Sequence, residues 1–402
     1  MSAAVLPPLI APFAAERYRA VDRLGDLVAP PYDVISMTFR DTLAARHPHN
    51  IVRLILPSGP GNRYDAAAKL LAQWRAEGVL ERDPAPGVYV VQQEFLTPDG
   101  RTHLRTGVIA GLHVEPYDAG RVRPHEHTHR GPKEDRLALA RATGAMLETI
   151  FVLARDERGH LQRRLDGVTH HEPLAVAELD GVAIGLWRVG GVQGREIAHA
   201  VGDGPLYIAD GHHRFETANA LRAELPVAER MPALVVPLRD PGLFVLPTHR
   251  LVTGTPIDPV ALVTAWARHF AVDEREAELD PRGLLEGLGA GASAVVVLPQ
   301  GRVLALSAPS PQDGELEIAV VERDVVQPLL AAAGPAGALS YTAHPGEVFD
   351  AVGRGSAAAG VLVRPTPVER VLAVADARGV MPPKSTYFAP KVPSGLVFLP
   401  YV

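Results

Sequence analysis

The chain has no cysteine. That absence excludes disulfides, thiolate zinc sites, iron–sulfur clusters and a cysteine nucleophile together. Nor does any run approach the roughly 18–20 apolar residues of a membrane-crossing helix, so no membrane association is expected. The opening residues, Met1-Ser-Ala-Ala-Val-Leu-Pro-Pro8, put no basic segment ahead of an apolar one. A secretory signal is therefore not expected, and a cytoplasmic location is. Positive charge is not in excess, the formal net charge being −6, which argues against a dedicated nucleic-acid partner. The sequence carries no Walker A loop, no complete Gly-x-Gly-x-x-Gly fingerprint and no protein-kinase loop set. Internal repeats and low-complexity tracts are absent too.

What is present has the composition of a soluble globular protein, with 47% hydrophobic and 21% charged residues. A length of 402 residues implies two or three lobes. The 37 glycines and 37 prolines are spread along the chain and favour a loop-rich α+β (mixed α/β) fold over a helical bundle. Three regions are expected: 1–120, 121–255 and a C-terminal α/β lobe over 256–402.

The most informative stretch is Leu206-Tyr-Ile-Ala-Asp-Gly-His-His-Arg-Phe-Glu-Thr-Ala218. Its first four residues read as a buried strand. After Asp210-Gly211 the pattern turns helical, with Phe215, Ala218, Leu221 and Leu225 on one stripe. A strand, a glycine turn and a helix start gather backbone N–H groups and the positive end of a helix dipole, which suits an anion. Asp210, His212, His213 and Arg214 surround that point. Arg can grip a phosphate or carboxylate with two hydrogen bonds, and His can carry a proton near neutral pH.

Taken in order, Ala29-Pro-Pro-Tyr-Asp-Val-Ile-Ser36 restrains a loop that presents Tyr32 and Asp33; alternatively, Asp33 or Ser36 caps the following helix. The run ending at Pro57 reads as a buried strand, in which Arg53 needs an anionic partner if it points inward. Residues 64–80 form an amphipathic helix, and 88–95 with 105–114 a hairpin turning at Pro98-Asp-Gly100. The 121–136 stretch holds His125, His127 and His129 at alternate positions, four arginines and Lys133. In an extended segment the three imidazoles share a face suited to a metal. Alternatively Arg123, Arg130, Lys133 and Arg136 bind polyphosphate while the histidines line the pocket, or the segment is a solvated basic loop. Residues 231–238 and 243–252 read as strands, the second carrying His249 and Arg250 beside the 206–209 strand. The tail, Met381-Pro-Pro-Lys-Ser-Thr-Tyr-Phe-Ala-Pro-Lys391 followed by an apolar strand, is expected to dock and return Lys384, Ser385, Thr386 and Lys391 to a site, or else to be tied down for stability alone.

These motifs resemble a known family. Pro30-Pro-Tyr-Asp-Val-Ile-Ser36, His125-Glu-x-Thr128 with Pro-Lys-x-Asp-Arg136, Ala209-Asp-Gly-His-His-Arg-Phe-Glu-Thr217, Leu246-Pro-Thr-His-Arg250 and Met381-Pro-x-Lys-Ser-Thr-Tyr-Phe388 are similar to the bacterial and archaeal family of domain of unknown function 1015, over essentially the whole chain. Locally, Asp210-Gly-His-His-Arg214 resembles the signature box of the ParB/sulfiredoxin superfamily, which includes free serine kinases. The sulfiredoxin cysteine would fall at His212, which rules that chemistry out here. The resemblance implies a ParB/sulfiredoxin-like phosphate-binding core with nucleotide phosphates at Gly211, His213 and Arg214.

The expected function is a nucleotide-dependent small-molecule kinase using ATP or ADP with Mg²⁺ on a hydroxyl such as that of free serine. Arg123, His125, Lys133 and Arg136 would be further phosphate ligands. Asp210 or Glu126 would hold Mg²⁺ or act as base, His212 and His213 would assist, and Asp33 is a second base. Tyr32, His249 and Arg250 are candidates on the substrate side. Two alternatives remain: a metal-dependent hydrolase using His125, His127, His129, His212, His213 and Asp210, and a non-catalytic nucleotide or phosphometabolite sensor. Monomer and homodimer are both open.

Overall fold

The structure is a computed structural model and describes residues 6–97, 100–128, 130–275, 281–288, 291–311 and 314–401. His129 and the Pro98-Asp99 half of the expected hairpin turn lie outside the described residues. The fold is mixed α/β. The chain divides into two compact units, Met1–Phe244 with Pro390–Val402, and Val245–Ala389.

The first unit is built on a nine-stranded mixed sheet. Its order runs Val122–Arg123, Leu206–Asp210, Ile150–Ala154, Arg230–Pro237, Thr102–His113, Gly87–Leu96, Val182–Gly190 and Ala175–Leu179, with Ile10–Ala11 added against Thr102–His113. The Ile150–Ala154 strand is apolar and buried at every position, as a strand covered on both faces must be. It runs antiparallel to Leu206–Asp210 and parallel to Arg230–Pro237. Phe215, Ala218 and Leu221 of the His212–Glu224 helix join Ile150, Val152 and Ile208 in one core. The expected regions 1–120 and 121–255 share this sheet, since Thr102–His113 pairs with Arg230–Pro237. Strand and helix alternation marks elements but does not say which strands share a sheet.

Two expected strands differ in the structure. Within the 47–57 run, Val52–Ile55 is a helical turn. Asn50 causes it: its amide nitrogen bonds the carbonyls of Asp26 (2.7 Å) and Val28 (3.0 Å), and its oxygen accepts the Val52 N–H at 2.9 Å. Arg53 donates to the Ala44 carbonyl at 2.7 Å, so a carbonyl takes the place of the anionic partner. The 243–252 run breaks at Pro247-Thr248 into Phe244–Leu246 and His249–Thr253. The latter pairs with Ala338–Thr342 and Ala359–Val363, and the Leu206–Asp210 strand is not its neighbour.

The second unit carries a six-stranded sheet in the order Ala271–Arg275, Arg302–Ser307, Ser293–Leu298, Ala359–Val363, His249–Thr253 and Ala338–Thr342, every neighbouring pair antiparallel. A helix runs from Glu317 to Ala332 through a π-helical segment at Glu322–Val326. The tail beyond Pro390 belongs to the first unit: Leu399–Pro400 pairs with Ala145–Met146, and Phe398 is fully buried. Among the described residues no helix is long and apolar enough to cross a membrane.

Candidate functional site

The Leu206–Asp210 strand is buried through Ala209, and Asp210 follows at its mouth. Pairing with Ile150–Ala154 is irregular between Ile208 and Asp210, a bulge that re-aims the last side chain. Gly211 then takes φ 99° and ψ 30°, left-handed backbone that favours glycine. A Cβ there would also meet Ile150 Cγ2 at 2.7 Å. Gly211→Ala is accordingly expected to lower stability by about 1–3 kcal/mol. Urea unfolding checks this, and an unchanged midpoint would show that the turn relaxes without cost.

The His212–Glu224 helix starts with no side-chain cap, and its first helical bond is Phe215 N–H to the Gly211 carbonyl at 2.9 Å. Three amides and the dipole's positive end thus face the turn. Asp210 holds two cations, one on each oxygen: Lys391 from the tail and Arg214 one helical turn on. All three side chains are largely buried. Burial alone would raise the Asp210 pKa, but Lys391 and Arg214 hold the carboxyl well below the usual carboxylate range. Arg214 also donates to the Thr149 carbonyl at 2.6 Å, which ties the helix start to the neighbouring strand.

A second cluster gathers on Glu148. One of its oxygens accepts the Tyr32 N–H and the Ser394 hydroxyl, both at 3.3 Å. The other accepts from Arg136 at 3.2 Å. The Arg136 guanidinium lies 4.2 Å from the Tyr32 ring centroid, a cation–π contact, and bonds the Ile55 carbonyl at 2.7 Å. Asp33 follows on the same short 3-10 turn, exposed, with no hydrogen bond or ion pair among the described residues. Its charge is felt by Tyr32, its neighbour in sequence, and by Arg214. Ser36, not Asp33, caps the next helix, accepting the Phe39 N–H at 3.2 Å.

His125 and His212 meet edge to face at 4.7 Å, and the His125 N–H donates to His212 Nε2 at 3.4 Å. Both are buried. Burial pushes His125 down to about 4; burial and then His125 push His212 well below its ordinary value. Both rings are therefore neutral at pH 7. Between roughly pH 6.5, where an unfolded histidine charges, and pH 4, the unfolded chain binds more protons than the folded one. Stability is therefore present at neutral pH and falls as pH falls through that window. For His125 alone the expected loss is about 2 kcal/mol at pH 5. Unfolding curves at pH 7 and 5 test it, with His125→Asn expected to show a correspondingly smaller difference.

The remaining candidates are dispersed. Lys133 pairs with Glu216 at 2.7 Å between the Arg130–Thr143 and His212–Glu224 helices. Arg123 sits beside Tyr207, its guanidinium 5.9 Å from the ring centroid, three residues upstream of Asp210 in register. Glu126 and His213 are half-buried and His127 is exposed. Lys384, Ser385 and Thr386 belong to the second unit, where the Ser385 hydroxyl donates to the Pro382 carbonyl at 2.6 Å. So do His249, whose Nδ1 accepts the Val363 N–H at 3.2 Å, and Arg250, which is fully buried and pairs with Glu322 at 3.2 Å. Among the described residues, no three His, Asp or Glu side chains are placed to hold a metal ion together.

Sequence reasoning missed Glu148 and Arg105. Arg105 is buried, its guanidinium 4.6 Å from the Phe151 ring centroid and bonded to Gln93 and to the Pro390 carbonyl. Each is a charged residue set against an apolar strand run, which was the available signal.

The mixed α/β unit thus brings a carboxylate, two cations and a helix start without a side-chain cap to one turn. The chain belongs to the family described as Protein of unknown function (DUF1015), matched over residues 10–328. No curated protein matches it. Among solved structures it is similar to a free serine kinase in complex with AMP, at 14% identity and TM-score 0.38, covering 72% of this chain and 92% of that one. A conserved hypothetical protein from Pyrococcus furiosus gives 15%, 0.38, 72% and 95%. SbnI with a C-terminal truncation, from Staphylococcus aureus, gives 10%, 0.39, 71% and 85%. Likeness at this level transfers no reaction.

Proposed function

We propose that the protein is a nucleotide-dependent kinase for a small molecule bearing a hydroxyl, free serine being the first acceptor to try. The observation that carries this reading is the Asp210–Gly211 turn: an uncapped helix start beside a buried carboxylate that fixes Lys391 and Arg214. The amides of His212 to Arg214 would take the nucleotide's phosphate oxygens, and Lys391 would add charge. ATP or ADP is the expected donor. Of the two carboxylates considered for Mg²⁺, Asp210 already places one oxygen on Lys391 and the other on Arg214. Glu126 is therefore the one that would hold it, since Mg²⁺ binds through one or two carboxylates and the substrate's own phosphates. The metal would supply neutralisation of charge on those phosphates.

Asp210 stays ionised beside two cations and is a poor proton acceptor. Glu148 is buried and occupied by Arg136, Tyr32 and Ser394. The base assigned is therefore Asp33. It would take the acceptor's hydroxyl proton as that oxygen bonds phosphorus; the bridging P–O bond breaks and its electron pair leaves on the nucleotide.

Incubation with Mg²⁺, ATP or ADP and a pool of amino acids and hydroxylated metabolites, followed by mass spectrometry, tests the reading. A new phosphorylated species is expected, lost in Lys391→Met, where Asp210 and Arg214 remain as a neutral pair. No product, with nucleotide still raising the melting temperature, would replace the kinase by a nucleotide sensor. A hydrolase with a histidine-ligated metal is less well supported, because His212 Nε2 already accepts from His125.

A further inference from the structure

The second unit contains a cavity of about 330 Å³ where the chain leaves the Ala359–Val363 strand and enters the Val368–Asp376 helix. That volume is at the small end of metabolite sites. The helix is capped by Pro367, which offers no side-chain cap. Its first helical bonds run from the Arg370 and Val371 N–H groups to the Pro367 carbonyl, so the Val368 and Glu369 amides have no helical acceptor. Arg364 and Arg370 line the same cavity. The Arg364 guanidinium is held in place by the Gly291 carbonyl at 2.8 Å and Ser293 Oγ at 3.2 Å.

An independent observation points to a ligand. Thr366 lines the cavity at 8% exposure, and its hydroxyl makes no hydrogen bond among the described residues. The residue is more than nine-tenths buried at the cavity wall, and an acceptor bound in the cavity would give its hydroxyl a partner. Further lining comes from the Leu316–Val321 segment, which contributes Glu317 among Leu316, Ile318 and Val321. Ser310 Oγ donates to Glu317 at 3.2 Å, fixing that carboxylate.

We propose that this cavity binds a free α-amino acid with an aliphatic side chain. Its carboxylate meets Thr366, the helix amides and the arginines, the geometry that suits a planar anion. Its ammonium meets Glu317, and its side chain rests on Leu316, Ile318 and Val321. Glu317 selects a zwitterion over a phosphate, which it would repel. The site stands on residues of the second unit alone and does not depend on phosphoryl transfer at Asp210.

Calorimetric titration of the full chain with three probes of one shape tests the proposal. L-valine carries both charges, isovalerate lacks the ammonium and isobutylamine lacks the carboxylate. Saturable one-to-one binding of valine is expected, with isovalerate about tenfold weaker and isobutylamine silent. Thr366→Val and Glu317→Gln should each weaken valine about tenfold, Glu317→Gln bringing it to the level of isovalerate. Near-UV circular dichroism confirms that Thr366→Val is folded, and the half-exposed Glu317 carries the test if it is not. Absence of saturable valine binding at millimolar concentration overturns the proposal. So does unchanged affinity in both variants, or isovalerate binding as tightly as valine.

Discussion

Asp210→Ala is expected to lower the free energy of unfolding by about 3–5 kcal/mol, the cost of leaving buried charge without its partner. Asp210 is the shared counter-ion of Arg214 and Lys391, and the three side chains are only 11%, 4% and 13% exposed. Removing the carboxylate strands two cations where water cannot replace it. Arg214 keeps its bond to the Thr149 carbonyl, which compensates in part. Adding Lys391→Met to Asp210→Ala should recover stability, because one stranded charge is removed. A coupling of about 1 kcal/mol or more is expected from a double-mutant cycle by urea unfolding. A loss under about 1 kcal/mol for Asp210→Ala would mean that the pairs are solvated and worth no more than surface ion pairs.

The same three residues show which parts of the site were legible in the sequence. Leu206 to Ala218 could be read directly because its signals are local: an apolar run, then a glycine, then an apolar stripe of helical period. The strand, the turn and the helix all appear in the structure. The tail's return was legible in kind, since prolines, aromatics and an apolar end rarely stay loose, but not in detail. Lys391 lies 181 residues from Asp210 and meets it, whereas Lys384 to Thr386, a few residues earlier, belong to the second unit. No pattern of period or propensity encodes that division. Glu148 was illegible for the same reason, its partners Tyr32 and Ser394 lying 116 and 246 residues away. The errors in secondary structure had a different origin. Residues 51–55 are apolar enough for strand or helix, and the side-chain hydrogen bonds of Asn50 decide the outcome. The histidines were legible as residues but not as an arrangement. Five imidazoles in two motifs suggest metal or proton chemistry; in the structure burial keeps His125 and His212 neutral, and the two rings face each other.

Asp33→Asn is expected to reduce turnover by about 10²–10⁴-fold, the usual contribution of general base catalysis, while leaving stability unchanged. The two halves of this prediction rest on different facts. Asp33 is exposed and makes no hydrogen bond or ion pair among the described residues, so its removal is expected to disturb little packing and no ion pair there. Its position, by contrast, is tightly specified. The Tyr32 N–H is fixed by Glu148, the Tyr32 ring lies against Arg136, and Pro30-Pro31 restrains the approach. A solvent-facing carboxylate on a rigid turn, within electrostatic reach of Arg214, is an arrangement that suits proton abstraction more than fold stabilisation. Asp210 is the contrasting case: it is buried between two cations and too strongly ionised to be a base. Steady-state kinetics on the product identified by mass spectrometry, with unfolding measured alongside, separates the two roles. Full activity in Asp33→Asn would remove Asp33 as the base and pass that role to Glu126, with Glu126→Gln as the next variant to measure. A large loss of stability would instead make Asp33 a structural residue of the Tyr32 turn.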